Sequence, residues 1–507
     1  MRNKTVHSSP VGIEDIAAYI PNHYLPIETL AKERGIEPDK LTKGLGLTAM
    51  ALPDVFEDTA TMAANAARLL IERNGLKPQD IGRLYLGTES ALDGAKPTAT
   101  YALEMLRRYY RAEHGVDCFT RCDVIDLTFA CIGGVDALLN TVDWVRAGKG
   151  RIGIVIASDF AKYDLGSTGE YTQGAGAIAM LVKEKPSLIS ILPEVGVATR
   201  GVHDFFKPVR QVIKEDIVKE VLDLMPAKVE AREILTHLPE NFEQTGVLDS
   251  NDKKLGIHVM TPTFDGPYSN WTYQRRVREA YDHFVEQVDQ PVDEQPIFTW
   301  SRAVMHLPYA AHGRRMLMDT FVRELDRQGM WDDVASSSRL DAVPRKVDFK
   351  TEQAFDATWD TYLRAVSKTQ AYKSFVSEQL KGTADASSLT GNLYAGSIFM
   401  ALMSTLVRAE ESGDQLAGKT LGFIAYGSGS KSKVFAGAVR SPWEKKVKSW
   451  KLFETFSART PVDYATYEKL HRGQLTEPLA KPTNTFVLDR LGEEVNKVGA
   501  RYYKWVK

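Results

Sequence analysis

The strongest constraint on this chain is a set of short, almost wholly apolar segments that recur between helical stretches. Arg151 to Ser158 reads Arg-Ile-Gly-Ile-Val-Ile-Ala-Ser, and Gly174 to Val182 and Leu421 to Tyr426 are equally apolar. A strand with one wet face alternates apolar and polar residues, so runs without that alternation predict strands covered on both faces. Less continuous strand patterns occupy Gly12 to Ile20, Ile81 to Gly87, Cys122 to Leu127, Leu188 to Thr199 and Val434 to Val439. Between them lie helical patterns at Thr59 to Asn74, Thr98 to Ala112, Tyr268 to Gln287, Gly313 to Arg327, Gln353 to Leu380 and Asn392 to Glu411. Gly75 stands where a left-handed helix end is expected. Such alternation predicts an α/β sheet with helical cover, and its recurrence in both halves leaves room for a duplicated unit.

At 507 residues there is chain enough for two or three domain-sized units. Lys and Arg number 64 against 66 Asp and Glu, so no basic excess points to nucleic acid. Cys118, Cys122 and Cys131 are too few for a disulfide framework. Cys118, Cys122 and nearby His114 do not complete a four-ligand set, so no metal is expected. The opening residues do not read as a signal peptide, and no apolar run approaches the ~20 residues of a membrane span. The expectation is a reduced, cytoplasmic protein that binds neither membrane nor nucleic acid. Polar residues 209–254, broken at Pro226 and Pro239, read as a surface insertion, and the charged, aromatic tail after Ser441 as an extension.

Chemistry concentrates at strand ends. Asp126 to Leu127 leads through Thr128, Phe129, Ala130 and Cys131 into a helix whose apolar stripe is Ile132, Val135, Leu139 and Val142. Free N–H groups and the helix dipole at such a junction favour a thiolate, which makes Cys131 a candidate nucleophile with a lowered pKa. A buried core cysteine fits the stretch equally well. Glu89, past the strand at Ile81 to Gly87, is either a partly desolvated acid/base or a solvated loop acid. His306 lies in an apolar stretch that Pro308 keeps out of regular helix, and is either a core histidine or a positioned catalytic group. Tyr426-Gly427-Ser428-Gly429-Ser430 is a hairpin turn or an oxyanion site, and Gln173-Gly174-Ala175-Gly176 a close backbone approach or a pocket wall.

Together these stretches resemble the 3-hydroxy-3-methylglutaryl-CoA synthase family of thiolase-like condensing enzymes. The resemblance rests on Thr42 to Gly46, Thr61 to Ala67, Gly87 to Ser90, Ala130-Cys131, Thr172 to Ala177, Asp204 to Pro208, His306 to Tyr309, Gly391 to Tyr394 and Tyr426 to Ser430, all in family order. It implies a five-layer αβαβα fold from two similar halves, usually a homodimer. The halves would fall at about 1–186 and 187–440, with 441–507 as the extension.

The resemblance also implies a reaction. Cys131 takes the acetyl group of acetyl-CoA. Glu89 removes a methyl proton and later protonates the new alkoxide, while His306, helped by Asn392, orients acetoacetyl-CoA. Backbone N–H groups of Cys131 and Ser428, beside Gly427, hold the thioester oxygen, Tyr163 lines the site, and Lys207 is a candidate phosphate contact. No cofactor beyond the two thioester substrates is implied.

Three departures stand out: Phe129 and Ile132 beside the nucleophile, Ala311 where a lysine is usual, and the 209–254 insertion. Arg314, Arg315 and Lys207 are the candidate replacements for that lysine. Phe129 and Ile132 leave the acyl-chain preference open, while the changed lysine and the insertion motivate a rival reading, a β-branching synthase acting on chains bound to an acyl carrier protein. A non-catalytic thiolase-like scaffold is the distant one, which retention of Cys131, Glu89 and His306 argues against.

Overall fold

The computed structural model describes residues 9–115, 117–224, 230–236, 254–288 and 294–507. Its centre is a nine-stranded sheet of β1 (Val11–Tyr19), β2 (Ile81–Gly87), β3 (Asp123–Leu127), β4 (Ile152–Ala161), β5 (Gly174–Glu184), β6 (Ile189–Thr199), β7 (Arg302–Met305), β8 (Thr420–Gly427) and β9 (Lys431–Val439). Their spatial order is β7-β8-β9-β6-β1-β5-β4-β2-β3. The segments read as continuously apolar are the inner ones: β5 is buried from Gly174 to Val182 and β8 from Leu421 to Gly427. Neither face of these strands meets water, so neither needs polar alternation.

The halves meet where β1 and β6 share only the pairs Gly12 with Ser190 and Ile13 with Ile189. There is room for this contact because residue 12 is glycine: a Cβ would lie 2.1 Å from the Ile189 carbonyl oxygen. Helix α1 (Thr59–Arg73) covers the outer face of the first half, beside α2 (Thr98–His114). Helix α4 (Gly266–Gln287) covers β6 and β9 of the second half. Between the half-sheets lie α3 (Gly133–Arg146), against β2 and β4, and α6 (Ser397–Glu411), against β7; α5 (His312–Arg327) follows the His306 loop and packs on α4. Helix, sheet, helix, sheet, helix gives the five layers of a thiolase-like fold. Helix α1 holds its start with a reciprocal cap, Asp58 accepting from Thr61 N–H while Thr61 Oγ1 accepts from Asp58 N–H.

Three expectations need correction. The Gln353–Leu380 pattern is two helices, Glu352–Val366 and Gln370–Gln379. Thr369 breaks it by capping the second, its Oγ1 accepting from Tyr372 N–H at 3.2 Å. The pattern from Asn392 starts as a helix only at Ser397, because Gly391 and Tyr394 are held at φ +81° and +43°. The insertion expected at 209–254 runs on to His258: an antiparallel strand pair, Val209–Ile213 with Lys254–His258, closes its base, and the two expected helices, Lys214–Asp223 and Ala231–Thr236, lie between the strands. Its residues 225–229 and 237–253 lie outside the described set. The tail after Ser441 packs closely on the first half: Phe486 N–H donates to buried Asn65 at 2.9 Å, and helix α7 (Tyr464–His471) lies beside the β4–β5 loop.

Candidate active site

Parallel strands aim their carboxyl ends the same way, and both halves use this. Gly87 of β2 is level with Leu127 of β3 and Ala157 of β4. In the second half Met305 of β7 is level with Ile424 of β8. Thr88-Glu89, the Cys131 turn, His306 and the Gly427 turn therefore all leave the sheet by strand ends, where open α/β sheets hold their ligands. The Cys131 turn is seated on glycines. A Cβ at Gly87 would lie 2.2 Å from Gly134 N, and one at Gly427 would lie 2.7 Å from Phe129 O and 2.9 Å from Ile132 N. The turn is tight enough to hold Ala130 at φ +39°, uncommon for a residue with a side chain.

Within that turn Cys131 Sγ lies 3.8 Å from both carboxylate oxygens of Glu89. Glu89 is anchored through its backbone. Its N–H donates to Asp159 Oδ1 at 2.9 Å, and its carbonyl accepts from Lys207 Nζ at 3.0 Å. Asp159 is wholly buried on β4 and also accepts from Thr88 Oγ1 and Ala395 N–H. Burial pushes the Glu89 carboxyl up to about 8; Lys207 opposes the shift and Asp159 adds to it.

Cys131 does not have the lowered pKa expected of a helix start. Burial, then the charges of Glu89 and Asp159, hold its thiol well above the usual range. The dipole is outweighed, and nearby N–H groups are spent within the turn: Ile132 N–H donates to Phe129 O and Gly133 N–H to Ala130 O. The resting pair is a neutral thiol beside a carboxyl that titrates near neutrality.

Around the sulfur stands an aromatic wall. Tyr163 and Tyr394 are buried with Cys131 and Ala161, and Phe205 and Phe264 pack against them. The Tyr163 ring lies 5.4 Å from Phe264 and 6.3 Å from both Phe205 and Tyr394. Phe205 and Phe264 are brought together by strand pairing between Phe205–Phe206 and Thr263–Phe264. Outside the wall opens a cavity of about 800 Å³, lined by Glu89, Phe129, Lys207 and Ser428, and by Val209 and His258 of the insertion. Of the two unusual neighbours, Phe129 faces this cavity, whereas Ile132 is fully buried and packs towards Gly427.

His306 directly follows strand β7. Its N–H donates to Ile424 O at 3.0 Å, its carbonyl accepts from Tyr273 OH at 3.0 Å, and its ring stacks 6.3 Å from that of Tyr273. Burial lowers its pKa to about 3, so it is a neutral imidazole, and Nδ1 has no hydrogen-bond partner among the described residues. The Tyr273 ring also packs 4.3 Å from that of Tyr426, which leads into the Gly427 turn. Asn392 is turned to local order: its Oδ1 accepts from Tyr394 N–H at 2.8 Å and from Ser397 Oγ at 2.9 Å. Gly427-Ser428-Gly429 is fixed by Asp204, which accepts from Tyr426 OH at 2.7 Å and Gly429 N–H at 2.8 Å. Lys207 shares the Glu89 cavity, whereas Arg314 and Arg315 line a separate one of about 950 Å³ behind Leu307.

Sequence reading missed Asp159, Asp204, Tyr273 and Tyr394 as parts of this site. Asp159 carried a signal, an acid at the end of an otherwise apolar strand, and Asp204 and Tyr394 stood inside recognised stretches. Tyr273 had none, being one aromatic on an amphipathic helix.

A duplicated five-layer sheet that presents a cysteine and a carboxylate at its strand ends defines a thiolase-like enzyme of the condensing acyltransferase type. Comparison with known proteins narrows this. The profile "Hydroxymethylglutaryl-coenzyme A synthase N terminal" matches residues 7–186, and its C-terminal counterpart residues 256–469. The hydroxymethylglutaryl-CoA synthase of Haloferax volcanii is 29% identical over 496 residues, 96% of each chain. The cytoplasmic one of Homo sapiens is 28% identical over 435 residues, 84% of this chain and 71% of that protein. A solved structure of MvaS in complex with 3-hydroxy-3-methylglutaryl coenzyme A is 26% identical, with a TM-score of 0.73 over 98% of this chain and 100% of that one. The chain belongs to the hydroxymethylglutaryl-CoA synthase family, and its activity is the condensation of acetyl-CoA with acetoacetyl-CoA and water to give HMG-CoA and CoA.

Proposed function

We propose that Cys131, Glu89 and His306 carry this condensation, with acetyl-CoA as donor and acetoacetyl-CoA as acceptor. The observation that carries the reading is the placement of Cys131 Sγ 3.8 Å from each oxygen of a carboxyl that titrates near 8. A neutral thiol needs a base when it attacks. Glu89 takes the Cys131 proton as sulfur bonds to the acetyl carbonyl carbon, and returns it to the departing CoA thiolate. Ionised again, Glu89 removes a methyl proton from acetyl-Cys131. The enolate carbon attacks the acceptor ketone, and Glu89 gives the proton to the resulting alkoxide. Water then cleaves the thioester at Cys131 and releases HMG-CoA.

His306, neutral and desolvated, polarises the acceptor ketone as a hydrogen-bond donor. Donors fixed at the Cys131 and Gly427–Ser428 turns hold the enolate oxygen, a preorganised charge that costs no rearrangement. Asn392 acts by shaping the Tyr394 turn, Tyr163 walls the acyl group, and Lys207 sets the charge around Glu89. The chain's own acids and bases supply this chemistry.

We propose CoA, not a carrier protein, as the acceptor's handle, because the relatives reported above are HMG-CoA synthases. We further propose a cytoplasmic homodimer. No described helix is long and apolar enough to cross a membrane. Strand β3 ends the sheet with its outer edge unpaired among the described residues, and Ile125 on it is 42% exposed. Such an edge is a template for a second copy.

The test is intact-mass analysis after mixing with acetyl-CoA, followed by chase with acetoacetyl-CoA or acetoacetyl-carrier protein. A single acetyl on Cys131, discharged by acetoacetyl-CoA, is expected. Discharge by the carrier-bound acceptor alone establishes the β-branching reading instead, and no adduct at all the scaffold.

A further inference from the structure

The loop between β4 and β5 carries Tyr163 into the acyl wall, and the C-terminal segment grips that loop by its backbone. Tyr163 N–H donates to Gln173 Oε1 at 2.7 Å, and Tyr163 O meets His471 Nε2 at 2.7 Å. A carbonyl only accepts, so Nε2 of His471 carries the proton. Lys162 Nζ in turn donates to His471 O at 2.5 Å. Gln173 has its amide orientation imposed from the same helix. Its Nε2 donates to Tyr467 OH at 2.8 Å, while Tyr467 donates its one proton to Glu170 Oε1 at 2.9 Å. Having spent that proton on a carboxylate, the hydroxyl can only accept from the amide, which leaves Oε1 of Gln173 pointing at Tyr163 N–H.

Glu170 is itself pinned, by paired bonds from Arg34 at 2.8 and 2.7 Å and by Gly166 N–H at 2.7 Å. Glu170, Gln173 and Tyr467 are each no more than 2% exposed. Water offers them no substitute partners, so the chain of bonds has one satisfied arrangement. Crowding makes the geometry exacting on the other side as well: a Cβ at Gly169 would lie 2.1 Å from the Tyr163 ring.

We propose that the C-terminal segment is a working part of the acyl site, with Tyr467 and His471 as positioning residues for Tyr163. The proposal rests on the reading that Tyr163 walls the acyl group on Cys131. Tyr467 fixes the amide that holds one side of the Tyr163 peptide and His471 holds the other. The ring is thereby presented to Cys131 by helix α7, more than 290 residues away in sequence.

A double-mutant cycle on turnover tests this. Y467F loses two buried hydrogen bonds and lowers kcat about tenfold with the KM for acetyl-CoA unchanged. In a Y163A background the same change has no further effect, because the ring it positions is gone. H471A follows the same pattern, and H471Q, which keeps a donor, recovers most of the loss. Wild-type kcat in both Y467F and H471A overturns the proposal, as does an additive loss in the double variants. Wild-type kcat in Y163A alone overturns both the proposal and the reading beneath it. If Y467F fails to fold, the contrast of H471Q with H471A, each with and without Y163A, decides the matter.

Discussion

Replacing Glu89 by Gln separates the two halves of the reaction. Glu89 is the largest charged contribution to the raised pKa of the Cys131 thiol, so removing its charge makes that thiol easier to ionise. Acetyl transfer to Cys131 therefore survives in E89Q, with the proton passing through water to the CoA thiolate. Proton removal from the acetyl methyl has no such bypass. Loss of a positioned general base costs ~10²–10⁴ in rate, so condensation falls by that factor while the acetyl adduct accumulates. In the wild type, condensation rises with pH and levels off above about 8, where Glu89 becomes fully ionised.

Stability gives an independent measure of the same group. The folded carboxyl titrates at about 8 against an ordinary 4.5, so the folded state holds its proton where the unfolded chain has lost it. The stabilising effect of that neutral form is full below 4.5 and is lost as pH rises through about 8. The gap sets a ceiling of ~5 kcal/mol. Because the side chain partly faces the cavity, about 2 kcal/mol is the realistic share. For 507 residues the unfolding entropy is ~1 kcal/mol/K, so E89Q melts ~2 °C higher than wild type at pH 8.5, relative to their difference at pH 5. Quench-flow with intact-mass detection and melting curves at the two pH values check both statements. An E89Q protein that condenses acetyl-Cys131 at the wild-type rate, or a melting difference independent of pH, refutes the assignment.

Two further substitutions probe the scaffold of the site. G427A puts a Cβ 2.7 Å from Phe129 O and 2.8 Å from Ile132 Cγ2, so the Cys131 turn must shift. It lowers Cys131 acetylation at least tenfold and stability by ~1–3 kcal/mol, read by intact mass and by urea unfolding. D204N keeps the volume but weakens the bonds from Tyr426 OH and Gly429 N–H, and lowers kcat more than KM in steady-state assays.

Much of the sheet was legible because apolar continuity is a local property. Ile81–Gly87 was bounded to the residue, and β5 and β8 to within two residues at each end. The Gln353–Leu380 pattern failed for an equally local reason. Helical periodicity persists across Ser367–Thr369, and only the Thr369 side chain turning back to cap the next helix reveals the break. The residues of the site were legible as candidates, but their states were not. Position at a helix start argued for an acidic thiol, yet the desolvation that reverses this comes from Tyr163, Tyr394, Phe205 and Phe264, all distant in sequence.

That reversal changes how the chemistry must be ordered. A free thiolate beside a permanently ionised carboxylate would be two like charges 3.8 Å apart in a buried site, an arrangement that burial opposes for both groups. Sharing one proton removes the conflict. Glu89 is acid enough to give the proton up and base enough to take it because burial raises its pKa, Lys207 opposes the rise and Asp159 adds to it. The same carboxyl can then serve the thiol, the methyl group and the alkoxide in turn, provided that each step returns the proton it borrowed. The acetyl group helps to enforce this order. Once Cys131 is acylated it has no proton to compete for Glu89, and the nearest acidic hydrogens are those of the methyl group that must react next.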